Sequence, residues 1–466
     1  MNIWINKCHE EEVSSSYLNA HIFNIYDKNN ESNLKTNIEE IWKQFKRESL
    51  KAINEDLLII ALSVFAVDKR IFRRRFQDCW TRELQVSIPV IELEKWNLVK
   101  EQLEEVLNFL SGDRWSIEFR RSKFRYGKQK IENASKIEMD FDGVCLFSGG
   151  LDSFSGAIHL LEKNKRICFT GFREYGSLAN RQTDLYNILK DSYPEMESNL
   201  ILFNGTPYAP EDIEKNKIDI PPENTSRSRS LLFLAGALGI ASLAEKNIPV
   251  YIPENGFIGI NVPLTDSRKG SSSTRTTHLF FIRKLNEILA QVGILNRIEN
   301  FYVYKTKGEI VAEIVNTKAF KKGAESTISC SHPCHARYSK KSTPMNCGYC
   351  YPCIIRKASM NSAGAEDGEY NIEDAISIKF INENFKLASK GDDLKAVLWS
   401  LNRYLTNKDN KLYLKSLIMQ TGELTDDEVS EAYRVYVDSM EEIKEMVISE
   451  SQKYGVDLLE YVGIEE

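Results

Sequence analysis

The sequence predicts an α/β protein in which a parallel sheet is flanked by helices, followed by a purely helical region. Three observations predict this fold class. From about residue 141, short β-type runs alternate with helical stretches, as in parallel sheets with crossover helices. One transition, at 147–154, places a glycine-rich turn between an apolar run and a helical segment. The last hundred residues, 366–466, contain no β-type run of any length.

Residues 1–140 are predicted to form an α+β region ahead of the alternating part. Period-two alternation and helical spacing of apolar residues distinguish its elements. The predicted strands are Asn2–Asn6, Leu84–Val90 and Trp115–Arg120, and the predicted helices are Asp56–Arg70 and Leu93–Leu110. A polar stretch, Gly127–Met139, is expected to link this region to the next.

The alternating part, 141–325, is expected to form one domain with a parallel sheet. Its predicted strands are Val144–Phe147, Arg166–Phe172, Leu200–Phe203, Val250–Ile252 and Phe301–Tyr304. Its helical stretches lie near 152–163, 177–191, 228–245, 277–291 and 308–316. Ligands of such sheets bind outside the carboxyl ends of the strands. A short cysteine-rich segment, 326–362, and an acidic helical domain, 363–466, complete the predicted organisation.

Length and composition indicate an ordinary globular chain of more than one domain. The 466 residues exceed what a single hydrophobic core serves, so we expect two or three domains. Hydrophobic residues make up 42% and charged residues 27%. No apolar run approaches the roughly 20 residues that span a bilayer. The first residues lack the basic and apolar pattern of a signal peptide, so a cytoplasmic location is expected.

Charge is distributed unevenly along the chain. Residues 366–466 carry 11 basic and 23 acidic side chains, a net charge of −12, whereas the remainder is at +6. This balance argues against a general nucleic-acid binder. Two stretches, Lys69–Arg75 and Arg120–Arg125, interleave arginine with aromatic residues, and we interpret them as solvated or docking faces.

The glycine-rich turn is the first functional signal. It reads Ser148-Gly149-Gly150-Leu151-Asp152-Ser153 and follows an apolar run that ends at Phe147. Glycines allow positive φ and close backbone approach, serine hydroxyls add donors, and the helix start adds free N–H groups. Together these features predict a cradle for a pyrophosphate group. The alternative is a structural glycine turn that leads into a helix and binds no ligand. The Walker A and Rossmann patterns do not match this segment.

The second signal is a cysteine cluster. Of nine cysteines, four are scattered, and of these Cys145 and Cys168 are expected in the core. Three follow one another as Cys-x-x-Cys-x-x-Cys, and zinc prefers four tetrahedral N or S ligands. The predicted ligands are Cys330, Cys347, Cys350 and Cys353. Cys334, His332 and His335 compete with Cys330 for the fourth position. Four thiolates predict a structural Zn²⁺; an iron–sulfur cluster is the rival interpretation.

These two motifs, in this order, resemble those of a known enzyme family. The pattern Ser-Gly-Gly-x-Asp-Ser resembles the PP-loop of the N-type ATP pyrophosphatases, which have the adenine nucleotide α-hydrolase fold. Together with the tail Cys347–Arg356, it resembles the QueC family of zinc-containing 7-cyano-7-deazaguanine synthases. The segment Ser228–Leu234 looks like that family's arginine-containing helix start. The resemblance covers about residues 141–360.

The chain also departs from the housekeeping members of that family. They lack counterparts of 1–140 and 366–466, and they carry a Tyr-Pro-Asp-Cys stretch where this chain has Glu254–Leu264. The spacing between Cys330 and Cys347 is longer here. The enlarged plan resembles the QueC-like components of Qat anti-phage operons, the QatC branch.

The resemblance implies an ATP-dependent, AMP- and pyrophosphate-forming C–N ligase. It would activate a 7-deazaguanine carboxylate and transfer it to ammonia or to the N-terminus of a partner protein from the same operon. The implied cofactors are ATP, Mg²⁺ and Zn²⁺. The predicted nucleotide contacts are Phe147, Ser148, Gly149, Gly150, Leu151, Asp152, Ser153, Arg229, Arg268 and Arg275.

Among these residues, Asp152, Ser153 and Arg229 are the predicted catalytic set, with Asp152 near magnesium. Arg229 is equally compatible with a surface ion pair. The basic loop that carries Arg268 and Arg275 is either a lid or a solvated loop. Two other functions remain open: a tRNA-modifying PP-loop enzyme, and a non-catalytic nucleotide-binding subunit of a defence complex.

Overall fold

The computed structural model describes residues 1–8, 12–25, 32–45, 49–122, 124–126, 140–174, 176–223, 227–244, 246–268, 275–384 and 390–464. Its strands are β1 (Asn2–Asn6), β2 (His21–Asn24), β3 (Leu34–Thr36), β4 (Glu83–Val90), β5 (Arg114–Arg121), β6 (Gly143–Leu146), β7 (Ile167–Phe172), β8 (Ser198–Phe203), β9 (Gly205–Pro207), β10 (Val250–Tyr251) and β11 (Ile298–Glu299).

The α-helices among these residues follow the same chain order. They are α1 (Glu40–Lys43), α2 (Ala52–Arg70), α3 (Leu93–Leu98), α4 (Lys100–Ser111), α5 (Leu151–Glu162), α6 (Gly176–Ser192), α7 (Arg229–Ala241), α8 (Gly256–Ile260), α9 (Leu279–Val292), α10 (Lys307–Ile314), α11 (Lys318–Gly323), α12 (Tyr351–Ser362), α13 (Ile378–Glu383), α14 (Asp392–Asn407), α15 (Lys411–Met419), α16 (Asp426–Tyr454) and α17 (Asp457–Val462).

The N-terminal sheet has the strand order β2-β1-β4-β5, and all its pairs are parallel. The sequence predicted an α+β region here, but parallel pairing makes the arrangement α/β. Strand β2 was not predicted, because four residues between polar segments carry little pattern. The predicted helix over Leu93–Leu110 is divided at Val99, whose φ of −109° and ψ of 9° are not helical. The predicted linker Gly127–Met139 lies outside the described residues.

The second sheet has the order β11-β10-β6-β7-β8 and is also parallel throughout. The chain runs outward from β6 through β7 to β8, then returns to place β10 and β11 on the other side of β6. The strand order therefore reverses between β6 and β10. In open parallel sheets, ligands bind at the carboxyl ends of the strands at such a reversal.

One predicted strand of this sheet is wrong. Phe301–Tyr304 forms turns, and the edge strand is the preceding β11. The β-type composition of the segment reflects aromatic packing instead. The ring of Phe301 stacks on that of His159 of α5, and Tyr302 is fully buried.

Helix α2 lies in the core shared by the two sheets. Nearly all of its side chains are buried, and it packs closely against α7 of the second domain. A helix that is apolar on all sides must be covered on all sides. One continuous core accordingly runs from Ile3 of β1 to Ile298 of β11. An antiparallel ribbon of β3 and β9 adds a second link between the two parts.

The described residues after 366 form only helices, as predicted. They build a second core together with the cysteine segment, centred on the 29-residue helix α16. This helix packs against α8, α10, α12, α14, α15 and α17. In the described part of the chain, no helix combines the length and the apolar character needed to cross a bilayer.

Candidate functional site

The glycine-rich turn joins the end of β6 to the start of α5, as predicted. Gly149 has a φ of +81°, in the left-handed region where glycine carries no penalty. A Cβ at this position would lie 3.2 Å from Cγ of Gln182. The Gln182 amide also donates to the carbonyl of Phe147 at 3.1 Å. The turn is therefore tightly packed from the α6 side and needs glycine at this position.

The two serines of the turn bond to each other and to its backbone. The hydroxyl of Ser148 donates to Oγ of Ser153 at 3.1 Å, and that of Ser153 donates to the Gly150 carbonyl at 3.0 Å. The Gly150 N–H donates to Oγ of Ser148 at 3.3 Å. Ser148 is exposed, whereas Ser153 is buried. These contacts hold the hydroxyls close to the first turn of α5, where free N–H groups and the helix dipole favour an anion.

Asp152 lies at the centre of a largely buried polar cluster. Nζ of Lys307 is 2.5 Å from its Oδ2, and the Asn255 amide donates to its Oδ1 at 3.1 Å. The same amide group lies 3.1 Å from Oε1 of Glu254. The side chains of Lys307 and Asp152 are only 5% and 14% exposed, so their charges are poorly screened. Two carboxylates and one ammonium thus share a small space.

This cluster forms where the strand order reverses. Asp152 follows β6, and Glu254 and Asn255 follow β10, the strand on the other side of the reversal. Asn255 also caps α8 by accepting the N–H of Ile258 at 3.1 Å. Lys307 is the first residue of α10. Three segments far apart in sequence therefore converge on the crevice that parallel sheets use for ligands.

Burial and the nearby Asp152 carboxylate raise the pKa of Glu254 well above its usual range. Lys307 opposes this effect but does not cancel it. Two carboxylates that share one ammonium are under-neutralised. A divalent cation, whose hard oxygen ligands are typically carboxylates and phosphates, would relieve that imbalance. Asp152 and Glu254 therefore offer oxygen ligands of the kind that a divalent cation takes.

The four predicted zinc ligands come together. The Sγ atoms of Cys330, Cys347, Cys350 and Cys353 all lie within 4.8 Å of one another. The Cys330–Cys350 and Cys347–Cys353 pairs are 3.8 Å and 3.9 Å apart. Tetrahedral Zn–S bonds of about 2.3 Å require S···S separations of about 3.8 Å. The cluster is thus arranged to hold a metal ion such as zinc.

Backbone N–H groups donate to the thiols of this cluster. The N–H groups of His332 and Cys347 lie 3.2 Å and 3.3 Å from Sγ of Cys330. Such donors stabilise thiolate charge. Hydrogen bonding with Cys330 lowers the pKa of Cys347 and Cys350 and raises the pKa of Cys330 itself. Cys334 is not part of the group of four.

The cysteine segment is bonded directly to the glycine-rich turn. The N–H of Leu151 donates to Oγ of Ser329 at 3.2 Å, and the N–H of Ile328 donates to the Gly149 carbonyl at 3.0 Å. Asn346 fixes this strand-like contact by accepting the Ser329 N–H at 3.0 Å. The cysteine cluster therefore supports the wall of the predicted phosphate cradle.

The three predicted arginines occupy different positions. Arg229, at the start of α7, lies 3.2 Å from Glu174, just beyond the carboxyl end of β7. The sequence left open an ion pair at this position, and this contact is one. Asp68 of α2 fixes the helix start, because its Oδ2 accepts the N–H groups of residues 227 and 228 at 2.7 and 2.8 Å.

Arg268 and Arg275 are bonded to the terminal regions. Arg268 pairs with Asp393 of α14 at 2.6 Å. Arg275 donates to the carbonyl of Phe109 in α4 and lies 4.6 Å above its ring. The residues between these two arginines, 269–274, lie outside the described residues. Contact of either arginine with a nucleotide stays a prediction.

The arginine-rich stretches are not simply solvated faces. Arg73 is buried and pairs with Asp113, in a network that also contains Arg82 and Asp68. The guanidinium of Arg120 lies 3.8 Å above the ring of Trp4. These side chains therefore hold the N-terminal sheet together. Cys145 and Cys168 are fully buried, as expected.

Sequence reasoning missed Lys307, Glu254 and Ser329 as members of the site. Glu254 could have been found, because it follows a predicted strand of the sheet at its ligand-binding edge. Lys307 carried no signal, since a lysine at a helix start is ordinarily a solvated residue. Asn255 caps α8 and donates a hydrogen bond to Asp152.

Comparison with models of known protein families found none that matches this chain. Comparison with curated proteins likewise found no match.

Proposed function

We propose that this chain is an adenylate-forming PP-loop enzyme of the QueC-like type. It would use ATP and Mg²⁺ to activate a 7-deazaguanine carboxylate and transfer it to an amine. One observation carries the proposal: a glycine-rich turn with Gly149 at positive φ meets a largely buried carboxylate pair where the strand order reverses. That arrangement suits a magnesium-bound polyphosphate.

The roles of the residues follow from their positions. The turn 148–153 and the start of α5 would bind the β- and γ-phosphates through backbone N–H groups. Asp152 and Glu254 would hold Mg²⁺, which supplies charge neutralisation at the phosphates. Lys307 would contribute a further positive charge beside them. Arg229, at the carboxyl edge of the sheet, is the candidate for the α-phosphate or the substrate carboxylate.

The chemistry proceeds by two displacements. A substrate carboxylate oxygen attacks the α-phosphorus, the bond to the bridging oxygen of the β-phosphate breaks, and pyrophosphate leaves with that electron pair. An amine nitrogen then attacks the acyl carbon and AMP leaves, while the amine loses a proton. The protein's own contribution is positioning and charge neutralisation. The zinc would be structural, since four thiolates fill its coordination shell.

Pyrophosphate release tests the proposal. Purified protein is incubated with ATP, Mg²⁺ and 7-carboxy-7-deazaguanine, and AMP and pyrophosphate are quantified. We expect both products only when the deazaguanine is present, and at least a hundredfold loss in Asp152→Asn. Glu162→Gln is the matched control, because Glu162 lies at the opposite end of the same helix and bonds only Tyr193 in the contacts described.

Other outcomes would direct the assignment elsewhere. Turnover that requires tRNA would favour the nucleic-acid-modifying alternative. Tight ATP binding without turnover, unchanged in Asp152→Asn, would favour a non-catalytic subunit. The amine and a role in anti-phage defence rest on the family resemblance alone. Mass spectrometry of proteins co-expressed from the same operon tests them, by a search for an N-terminus that carries an added deazaguanine mass.

A further inference from the structure

Helix α16 of the C-terminal region reaches the segment that carries Lys307. The carboxylate of Glu442 accepts the N–H of Gly308 at 3.2 Å and a hydrogen bond from the Thr306 hydroxyl. A Cβ on Gly308 would lie 2.4 Å from Oε1 of Glu442, so glycine at this position leaves room for the carboxylate. Glu442 therefore places a carboxyl group at the N-terminus of α10, where the helix dipole favours its ionised form.

A second side chain of α16 holds the same segment. Arg434 donates to Oε1 of Glu309 at 2.8 Å and to the carbonyl of Tyr304. Asp438, one turn along α16, accepts from the same guanidinium at 3.0 Å. The residues on both sides of Lys307 are thus fixed from the C-terminal region, in addition to the local capping box of Thr306 and Glu309.

The same helix also supports the other neighbour of Asp152. Gly256, which follows Asn255, has no room for a Cβ: one would lie 3.0 Å from Cγ1 of Val435 in α16 and 2.3 Å from the carbonyl oxygen of Val303. The ring centroids of Phe257 and Tyr436 lie 6.1 Å apart. Both segments that donate hydrogen bonds to Asp152 therefore rest on α16.

We propose that α16 is a positioning element of the nucleotide site and that Glu442 is the positioning residue that keeps Lys307 on Asp152. The acidic C-terminal region would then help to position the residues of the site, rather than form a separate docking domain. This inference rests on the proposed function for its meaning in catalysis. The dependence of the Lys307–Asp152 contact on Glu442 is a structural claim, and it does not rest on the proposed function.

Burial raises the pKa of Glu442 to about 7, with Glu309 and Asp438 adding to the effect. The two groups that donate hydrogen bonds to Glu442, at Thr306 and Gly308, flank Lys307 in sequence, so the contact itself ties Glu442 to the position of Lys307.

Lysine labelling of the ligand-free protein tests the structural claim. Lys307 is 4% exposed and should therefore resist acetylation. Mass spectrometry measures the extent of acetylation at each lysine. In Glu442→Ala we expect labelling of Lys307 to rise at least tenfold while Lys7, which is also buried among the described residues, stays protected. Glu441→Ala is the matched control, since Glu441 bonds Tyr404 and Lys444 instead.

A nucleotide arm separates this inference from the proposed function. The affinity for Mg·ATP should fall about tenfold in Glu442→Ala and remain within twofold in Glu441→Ala. Protection of Lys307 in a folded Glu442→Ala variant would overturn the inference. Wild-type protein that binds no nucleotide would instead overturn the proposed function. If Glu442→Ala does not fold, Glu442→Gln, which keeps an acceptor oxygen but loses the charge, should show increased labelling of Lys307; unchanged labelling would count against the proposal.

Discussion

Ser329, the residue before the first cysteine of the cluster, accepts the backbone N–H of Leu151 at 3.2 Å. This contact joins two motifs that lie 178 residues apart in the chain. The N–H of Leu151 is at the start of α5 and has no partner within the helix. The cysteine segment thus satisfies one donor of the turn, so the position of this segment bears directly on the position of the turn.

Removal of the metal should therefore weaken both stability and nucleotide binding. We expect Cys350→Ser to lose bound zinc and most soluble protein, because structural zinc sites contribute on the order of 10 kcal/mol of folding free energy. Metal content by mass spectrometry and unfolding by circular dichroism measure this. Cys334→Ser is the control, since Cys334 lies outside the group of four, and it should keep both metal and fold. A soluble, metal-free and fully active Cys350→Ser protein would contradict the structural role.

The buried pair of Asp152 and Lys307 should show strong energetic coupling. Removing one member leaves the other charge buried, so Lys307→Met should lower the free energy of unfolding by about 3 kcal/mol. Asp152→Asn in that background should cost far less, which gives a coupling of about 2 kcal/mol in a double-mutant cycle. Urea unfolding measures the free energy of unfolding of the wild-type protein, of each single variant and of the double variant.

The exposed pair of Asp374 and Lys379 provides the comparison for that cycle. These side chains lie 3.2 Å apart but are 36% and 66% exposed. Solvent screens such pairs, and their coupling should stay below about 1 kcal/mol. Equal coupling energies for the two pairs would show that burial does not strengthen the contact at Asp152.

Gly149 should be intolerant of any side chain. Its φ of +81° disfavours alanine by about 1–2 kcal/mol, and a Cβ would press on Gln182. We expect Gly149→Ala to lose stability by that amount and to weaken ATP binding at least tenfold. Gly293→Ala separates the two effects, because Gly293 has a similar φ of +91° in open space away from the turn. It should lose similar stability and bind nucleotide normally, and equal loss of binding in both variants would refute the cradle.

His278 should make the protein less stable in mild acid. Its ring caps α9 through Nδ1 and meets Thr421 at 2.8 Å through Nε2, which joins the C-terminal region to α9. Burial, with Arg275 and Arg283 nearby, lowers the pKa of His278 to about 3, whereas the unfolded chain should titrate near 6.5. The unfolded state therefore binds the proton more readily than the folded state.

The sign of the effect follows from that difference. The stabilisation is fully present above pH 6.5 and is lost as pH falls toward 3, by about 2 kcal/mol between pH 6.5 and pH 5. His278→Asn keeps an acceptor for the helix cap but does not titrate, so its stability curve should be flatter over that range. Denaturant unfolding at several pH values checks this, and parallel curves for the two proteins would rule out His278 as the cause.

The sequence by itself determined the local features of the molecule. The spacing of apolar residues predicted a helix over Asp56–Arg70, and the glycine-rich turn at Gly149 predicted a strand-to-helix junction that allows positive φ. The spacing of Cys347, Cys350 and Cys353 predicted a metal site. Each of these features depends on residues that are close to one another in the sequence. Their conformational and ligand preferences can therefore be inferred from residue type and spacing alone.

Only the tertiary structure decided which distant residues complete the site. Lys307 lies 155 residues from Asp152, and Glu442 lies 134 residues from Gly308. It also decided that Phe301–Tyr304 packs its rings instead of extending the sheet, and that the N-terminal sheet is parallel. The physical reason is that a buried charge or aromatic ring takes whatever partner the packing of sheets and helices brings near. No local pattern encodes that partner.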